Sequence, residues 1–257
     1  MQHSEARDRQ LRPRVLVVLP TYNERQSLQP VAEAVLAAAP GVDLLIVDDA
    51  SPDGTGDIAD ALAGGSPRVT VMHRGGKLGL GTAYIAGFRA ALERGYDFAV
   101  EMDSDGSHQP GDLPRLLAAA RDGADLVIGT RWMPGGRIVH WPLHRRVLSK
   151  GGTAFARRAL RSELRDLTSG FRVLSRESLT RLQLDSIVSE GYAFQVETAW
   201  RLERQGCRVT EVPITFVERA AGRSKMSWRI MREAFTNVLR WGKEVRSQAS
   251  QRASQRN

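Results

Sequence analysis

Asp103-Ser104-Asp105 places two carboxylates one residue apart, directly after the largely apolar run 96–102. At the carboxyl end of a buried strand such a pair can hold a divalent cation against the diphosphate of a nucleotide-sugar, because hard oxygen ligands suit magnesium or manganese. The tripeptide is also a common solvated turn, so its setting decides between the two. Asp48-Asp49 can bind a nucleoside by accepting hydrogen bonds from base or ribose donors, while the turn-rich Ser51-Pro52-Asp53-Gly54-Thr55 behind it fits a helix cap equally well. Arg219-Ala220-Ala221-Gly222-Arg223-Ser224-Lys225 combines three cations with a glycine. That composition suits a loop closing over a diphosphate, or a basic surface turn. Gly75-Gly76-Lys77-Leu78-Gly79-Leu80-Gly81 lacks the Ser or Thr after Lys77 and the upstream glycine of a nucleotide-triphosphate loop, and it lacks the opening of a dinucleotide fingerprint.

The elements that must position these residues alternate along the chain. Apolar runs at 14–19, 44–47, 69–73, 98–102 and 125–130 read as strands, and helical spacing at 27–39, 57–62, 81–94 and 194–205 separates several of them. A further strand is expected at 208–216. Continuous apolar strands are buried on both faces, which predicts a mostly parallel sheet covered by helices. Ligands of such sheets collect outside the carboxyl ends of the strands. Pro20 to Glu24, Asp48-Asp49 and Asp103 to Asp105 each follow a strand, so these loops are expected to open on one edge and form one site.

The chain has 257 residues, enough for one large α/β domain, and its single cysteine, Cys207, cannot form an internal disulfide. The polar residues 1–13 read as a flexible N-terminus without a signal-peptide core, and no run approaches the length needed to span a bilayer. A cytoplasmic setting follows as the expectation. With 37 Lys and Arg against 29 Asp and Glu, the net charge of +8 favours an anionic partner. Between Arg131 and Arg165 a basic stretch is opposed by Glu163 alone. In 227–246 the residues Trp228, Met231, Phe235, Val238, Leu239, Trp241 and Val245 share a helical face edged by arginines, which suits either core packing or an interfacial helix on a membrane surface. Residues 247–257, rich in Gln, Ser and Arg, are expected to be disordered.

Several motifs together resemble a family. Pro20-Thr21-Tyr22-Asn23-Glu24, Val47-Asp48-Asp49-Ala50-Ser51-Pro52-Asp53-Gly54-Thr55, Lys77-x-Gly79-Leu80-Gly81, Asp103-Ser104-Asp105-Gly106-Ser107-His108, Gly129-Thr130-Arg131, Thr168-Ser169-Gly170-Phe171-Arg172 and Arg219-x-x-Gly222-x-Ser224-Lys225 occur in this order in dolichol-phosphate mannosyltransferases. The likeness extends to the bacterial polyprenol monophosphomannose synthases among the inverting family 2 glycosyltransferases. It implies a GT-A fold over 14–226 that transfers mannose from GDP-mannose to a polyprenyl phosphate with Mg²⁺ or Mn²⁺. Carried over by position, Pro20, Tyr22, Glu24, Val47 and Asp49 line the guanosine pocket, and Asp103, Ser104 and Asp105 meet the ribose, diphosphate and metal. Arg131, Arg219 and Lys225 contact phosphates and, with Asp105, make up the implied catalytic set. Ser107 stands where many members carry Gln, and is the candidate for a third metal contact beside Asp103 and Asp105.

A phosphomonoester acceptor is largely dianionic at neutral pH, its second pKa being about 6, so no strong general base is required. Cationic positioning is needed instead, and Arg131 and Arg145, with Ser149 one helical turn later, are the candidates for the acceptor phosphate. Trp141-Pro142-Leu143 and the helix at 227–246 are expected to rest peripherally on the anionic inner face of the membrane. The lack of a spanning run leaves room for a separate membrane-anchoring protein or domain. Rival readings are a polyprenyl-phosphate glucosyltransferase using UDP-glucose, a silent scaffold, and a nucleic-acid-binding module. The last is disfavoured because the basic stretches lack interleaved stacking residues and the acidic edge repels phosphate.

Overall fold

The computed structural model describes residues 13–219 and 228–254. The run VLVVLPT forms β1 (Val15–Thr21), and its alternate side chains enter two different cores, Leu16 and Val18 on one face of the sheet and Val15, Val17 and Leu19 on the other. β2 (Val42–Asp48) divides in the same way, Leu45 and Val47 opposite Leu44 and Ile46. This two-sided burial is what an uninterrupted apolar strand requires. The main sheet has the order β3-β2-β1-β4-β7-β5-β8, with β3 (Val69–His73), β4 (Phe98–Glu101), β5 (Leu126–Thr130), β7 (Arg172–Ser175) and β8 (Val209–Pro213). All its pairings are parallel except those of β7, which runs antiparallel between β4 and β5.

Helices α1 (Leu28–Ala38), α2 (Thr55–Gly65) and α4 (Leu113–Arg121) cover one face. On the other lie α3 (Leu80–Glu93), α5 (Leu143–Leu160), α6 (Arg176–Arg181), α7 (Gly191–Arg204) and α8 (Trp228–Ser254). Gly87, in the middle of α3, has a reason to be glycine: an added Cβ would stand 2.4 Å from Cγ1 of Val18, so α3 lies directly on β1. The expected strand at 208–216 is in fact two. After Pro213, which has no N–H to extend the ladder, the chain leaves the main sheet, and β9 (Thr215–Val217) pairs in parallel with β6 (Arg137–Val139).

One expectation for the C-terminus needs correction. Residues 247–254, read as disordered, continue α8. Part of the apolar face of α8 packs on the protein: Val238, Trp241 and Val245 are buried and Trp241 stacks on Trp200 with centroids 5.7 Å apart, while Phe235, stacked on Phe155 at 4.7 Å, and Leu239 stay exposed. Packing against α5 and α7 buries part of the stripe, which 3.6-residue periodicity alone could not assign to core or membrane. The flexible N-terminus expected at 1–13 falls, but for residue 13, outside the described residues. Among the described residues no helix is long and apolar enough to cross a membrane. Gly87→Ala is expected to cost about 1–3 kcal/mol through overpacking against the stiff Val18 side chain, read as a lower denaturant midpoint at unchanged slope.

Candidate active site

Registers Thr21↔Asp48 and Val18↔Glu101 set the carboxyl ends of β1, β2 and β4 side by side, so the loops after them open on one edge. The loop carboxylates divide their work. Asp48 is structural: its Oδ1 accepts from the Thr21 hydroxyl at 2.8 Å and the Ser51 hydroxyl at 2.6 Å, and its Oδ2 from the Ser51 amide at 3.1 Å. Asp49 pairs with Arg74 through Oδ1, while its Oδ2 accepts from the amides of Leu78 at 3.0 Å and Gly79 at 3.3 Å. The glycine-rich loop 75–79 is thereby tied to the end of β2, and Lys77 lies 4.3 Å over the ring of Tyr22. Pro20, Tyr22, Glu24, Val47 and Asp49 therefore gather at neighbouring strand ends. An open hollow of about 520 Å³ lined by Asn23, Glu24, Arg25, Gln26, Ser27, Pro52 and Asp53 borders this end and includes none of residues 103–108.

The loop after β4 is locked to β1 by Ser104, whose buried hydroxyl donates to the carbonyl of Pro20 at 2.7 Å. Asp105 Oδ1 accepts from both the amide and the hydroxyl of Ser107, at 3.0 and 2.6 Å, and Oδ2 lies 3.1 Å from the Arg219 guanidinium. Burial alone would raise the Asp105 pKa, but the Ser107 hydroxyl, Arg219 and the Ser107 amide outweigh it and hold the carboxyl below its ordinary value. Asp103 Oδ1 accepts from the Tyr84 hydroxyl at 3.1 Å, and the Asp103 amide donates to Nδ1 of His108 at 3.2 Å. Accepting that bond requires a neutral ring with its proton on Nε2. Burial, ahead of the smaller effects of neighbouring charges, lowers the His108 pKa to about 4 and keeps it so. Beneath this loop Glu101 and Arg172 are both fully buried and 3.9 Å apart. Desolvation, only partly offset by Arg172, pushes the Glu101 carboxyl up to about 7.

The hydroxyl of Ser107, the candidate third metal contact, donates to Asp105 and so orients that carboxylate. Arg131 is buried, with Nε and one terminal nitrogen each donating to Asp166 at 2.8 Å and that terminal nitrogen also donating to Thr168 at 2.9 Å. Desolvation disfavours the Arg131 charge, yet Asp166 more than restores it and raises its pKa. Arg145 pairs with Glu218 and lies 4.9 Å over Trp141, with Ser149 partly exposed one turn along α5. Trp141 is itself buried, 5.2 Å from the ring of Phe216. Lys225 lies outside the described residues. Tyr84, Asp166, Glu218 and the buried pair of Glu101 and Arg172 had no assigned role from sequence. Their partners are 19 to 73 positions away, and spacing along the chain carries no signal for them.

Among the described residues no three His, Cys, Asp or Glu side chains are grouped to hold a metal ion. Two carboxylates in one loop nevertheless suit a cation that takes its remaining ligands from substrate phosphate and water. The Arg219 guanidinium against Asp105 shows that a positive charge is accommodated there.

With this geometry in view, the comparisons with known proteins are decisive. The model of glycosyl transferase family 2 matches residues 16–182. The chain belongs to this family. As a family 2 glycosyltransferase with a GT-A fold, it is 54% identical over 233 residues to the undecaprenyl-phosphate mannosyltransferase of Micrococcus luteus, covering 91% of this chain and 96% of that one. It is 51% identical over 230 residues to the polyprenol monophosphomannose synthase of Mycolicibacterium smegmatis, covering 89% and 87%. Among solved structures, glucosyl-3-phosphoglycerate synthase from Mycobacterium tuberculosis, in complex with Mn²⁺, UDP and glucosyl-3-phosphoglycerate, superposes with a TM-score of 0.70 at 22% identity, covering 93% and 84%.

Asp166→Asn in this glycosyltransferase strands the buried Arg131 guanidinium. It is expected to cost about 3–5 kcal/mol of stability, measured by denaturant unfolding, whereas loss of a solvated ion pair would cost under about 1 kcal/mol.

Proposed function

We propose that this protein transfers mannose from GDP-mannose to a polyprenyl monophosphate with inversion, in a metal-dependent reaction at a membrane surface. The observation that carries the proposal is the Arg219 guanidinium set against Asp105 in the loop after β4, beside the loops that follow β1 and β2. The likeness to two mannosyltransferases over about nine-tenths of the chain supports the choice of sugar and acceptor.

Guanosine would lie against Pro20, Tyr22, Glu24, Val47 and Asp49, and Asp103, Ser104 and Asp105 would face the ribose and diphosphate. Mg²⁺ or Mn²⁺ held by Asp105 with Asp103 would supply electrophilic stabilisation of the departing diphosphate. Arg219, released from Asp105, and Lys225 would neutralise the same charge as it develops. An oxygen of the acceptor phosphate attacks the anomeric carbon while the bond to GDP breaks on the opposite face. GDP leaves with the bonding pair, and the dianionic acceptor has no proton to lose. Arg145 and Ser149, near the start of α5, would hold that acceptor phosphate. Arg131, enclosed by Asp166, would stiffen the end of β5 and add positive potential at the acceptor side.

Exposed apolar side chains on α5 support a membrane contact there in addition to α8. Leu143, Val147 and Leu148 are 75%, 64% and 55% exposed. Leu143 and Val147, spaced i and i+4, share one face of α5, with Leu148 beside it and Arg146 and Lys150 close by in sequence. Apolar insertion plus about 1 kcal/mol per basic residue near an anionic leaflet would give peripheral, salt-sensitive attachment.

Purified protein, Mn²⁺ and labelled GDP-mannose or UDP-glucose are to be incubated with a short polyprenyl phosphate, followed by lipid extraction. Label is expected in the lipid phase from GDP-mannose and not from UDP-glucose, and it should disappear in Asp105→Ala. Full activity in that variant would remove Asp105 from the mechanism. Arg145→Ala is expected to raise the acceptor KM far more than the donor KM, and an unchanged acceptor KM would refute its assignment. Replacing Leu143, Val147 and Leu148 with Ser should abolish co-sedimentation with anionic vesicles, and attachment of the wild type should weaken with added salt.

A further inference from the structure

Tyr84 is fully buried in α3, yet its hydroxyl reaches the donor-facing loop and donates to Asp103 Oδ1 at 3.1 Å. Its ring is clamped between Phe88 and Phe194, with centroids 6.1 Å away on each side and interplanar angles of 23° and 7°. The helix that carries it has no room to move. Gly87 abuts Val18 on β1, and a Cβ on Gly81 would stand 3.0 Å from the carbonyl oxygen of Ser189 and 3.1 Å from Phe194. The phenol oxygen is therefore fixed relative to the sheet edge. Asp103, by contrast, is about one-third exposed. Its Oδ2 faces His108 Nδ1 at 3.8 Å. Burial, with Asp103, Glu101 and Asp105 close by, pushes the phenol well above its ordinary value of 10, so it remains a donor at all working pH values.

We infer that Tyr84 is a positioning residue for the nucleotide-sugar site: its buried hydroxyl fixes the Asp103 carboxylate in the orientation in which the donor and its cation meet it. The inference rests on the proposed role of Asp103 as a donor-site ligand. A hydrogen bond from a rigid donor to a charged acceptor narrows the rotamers open to a short side chain. Pre-organisation of this kind is felt in donor and metal affinity, and leaves the acceptor site alone.

The test is a double-mutant cycle with Tyr84→Phe, Asp103→Ala and the two combined, read as the dissociation constant of Mn²⁺-GDP by calorimetry and as donor and acceptor KM. Tyr84→Phe keeps the ring and its stacking. It is expected to weaken Mn²⁺-GDP binding by about tenfold, the order of a hydrogen bond to a charged group, to raise the donor KM similarly, and to leave the acceptor KM unchanged. In the Asp103→Ala background the same substitution should produce no further loss. If Asp103→Ala weakens binding while Tyr84→Phe alone does not, or if the two losses multiply in the double variant, Tyr84 does not act through Asp103 and the inference is overturned. If Asp103→Ala binds Mn²⁺-GDP like the wild type, the assignment of Asp103 to the donor site fails first.

Discussion

Because β1 pairs in parallel with β2 on one side and β4 on the other, Thr21, Asp48 and Glu101 end their strands on one edge of the sheet. Carboxylates collect there by topology, and like charges brought together in a partly buried place repel unless each is answered. Asp49 is answered by Arg74, Asp105 by Arg219, Asp166 by Arg131 and Glu218 by Arg145. These pairs are of two kinds. Arg131 with Asp166 is sealed from water, so breaking it is costly and it belongs to the scaffold. Arg219 with Asp105 and Arg145 with Glu218 retain some exposure, so an incoming anion or cation can exchange partners with them.

Such an exchange would reconcile a strongly cationic protein with an acidic edge at its strand ends. The positive charge is not spread evenly; much of it lies on α5 and in the segment after β9, where a diphosphate on one side and a lipid phosphate on the other would need it. A divalent cation entering between Asp105 and Arg219 would free the guanidinium for the leaving group, so ligand charge and protein charge are matched in one rearrangement. The hydroxyls of Tyr84 on Asp103 and of Ser107 on Asp105, with Ser104 tying the loop to Pro20, would keep the carboxylates in place during such a change of partners.

Much of the fold was legible because buried parallel strands leave continuous apolar runs. The strand at 69–73 was read to its ends, and the convergence of the loops after β1, β2 and β4 followed from the rule for strand carboxyl ends. The segment 137–175 was not legible as structure. Its glycines and arginines conceal α5, and β7 is a four-residue strand inserted antiparallel, a placement set by pairing with β4 and β5 and not by its own sequence. In the site, the motif residues were visible and their partners were not. Asp166 and Glu218 look like ordinary surface acids until folding sets them against Arg131 and Arg145. The apolar stripe of α8 was correctly seen as a stripe, but periodicity reports a face and says nothing of what covers it.

The most direct measurement of the central claim is anomalous scattering from Mn²⁺ in crystals of the protein soaked with GDP. The account predicts one strong peak within coordination distance of an Asp105 carboxylate oxygen and of the diphosphate, with the Arg219 guanidinium moved from Asp105 onto a phosphate oxygen. A peak remote from Asp105, or diphosphate bound with Arg219 still paired to an undisturbed Asp105, would contradict it.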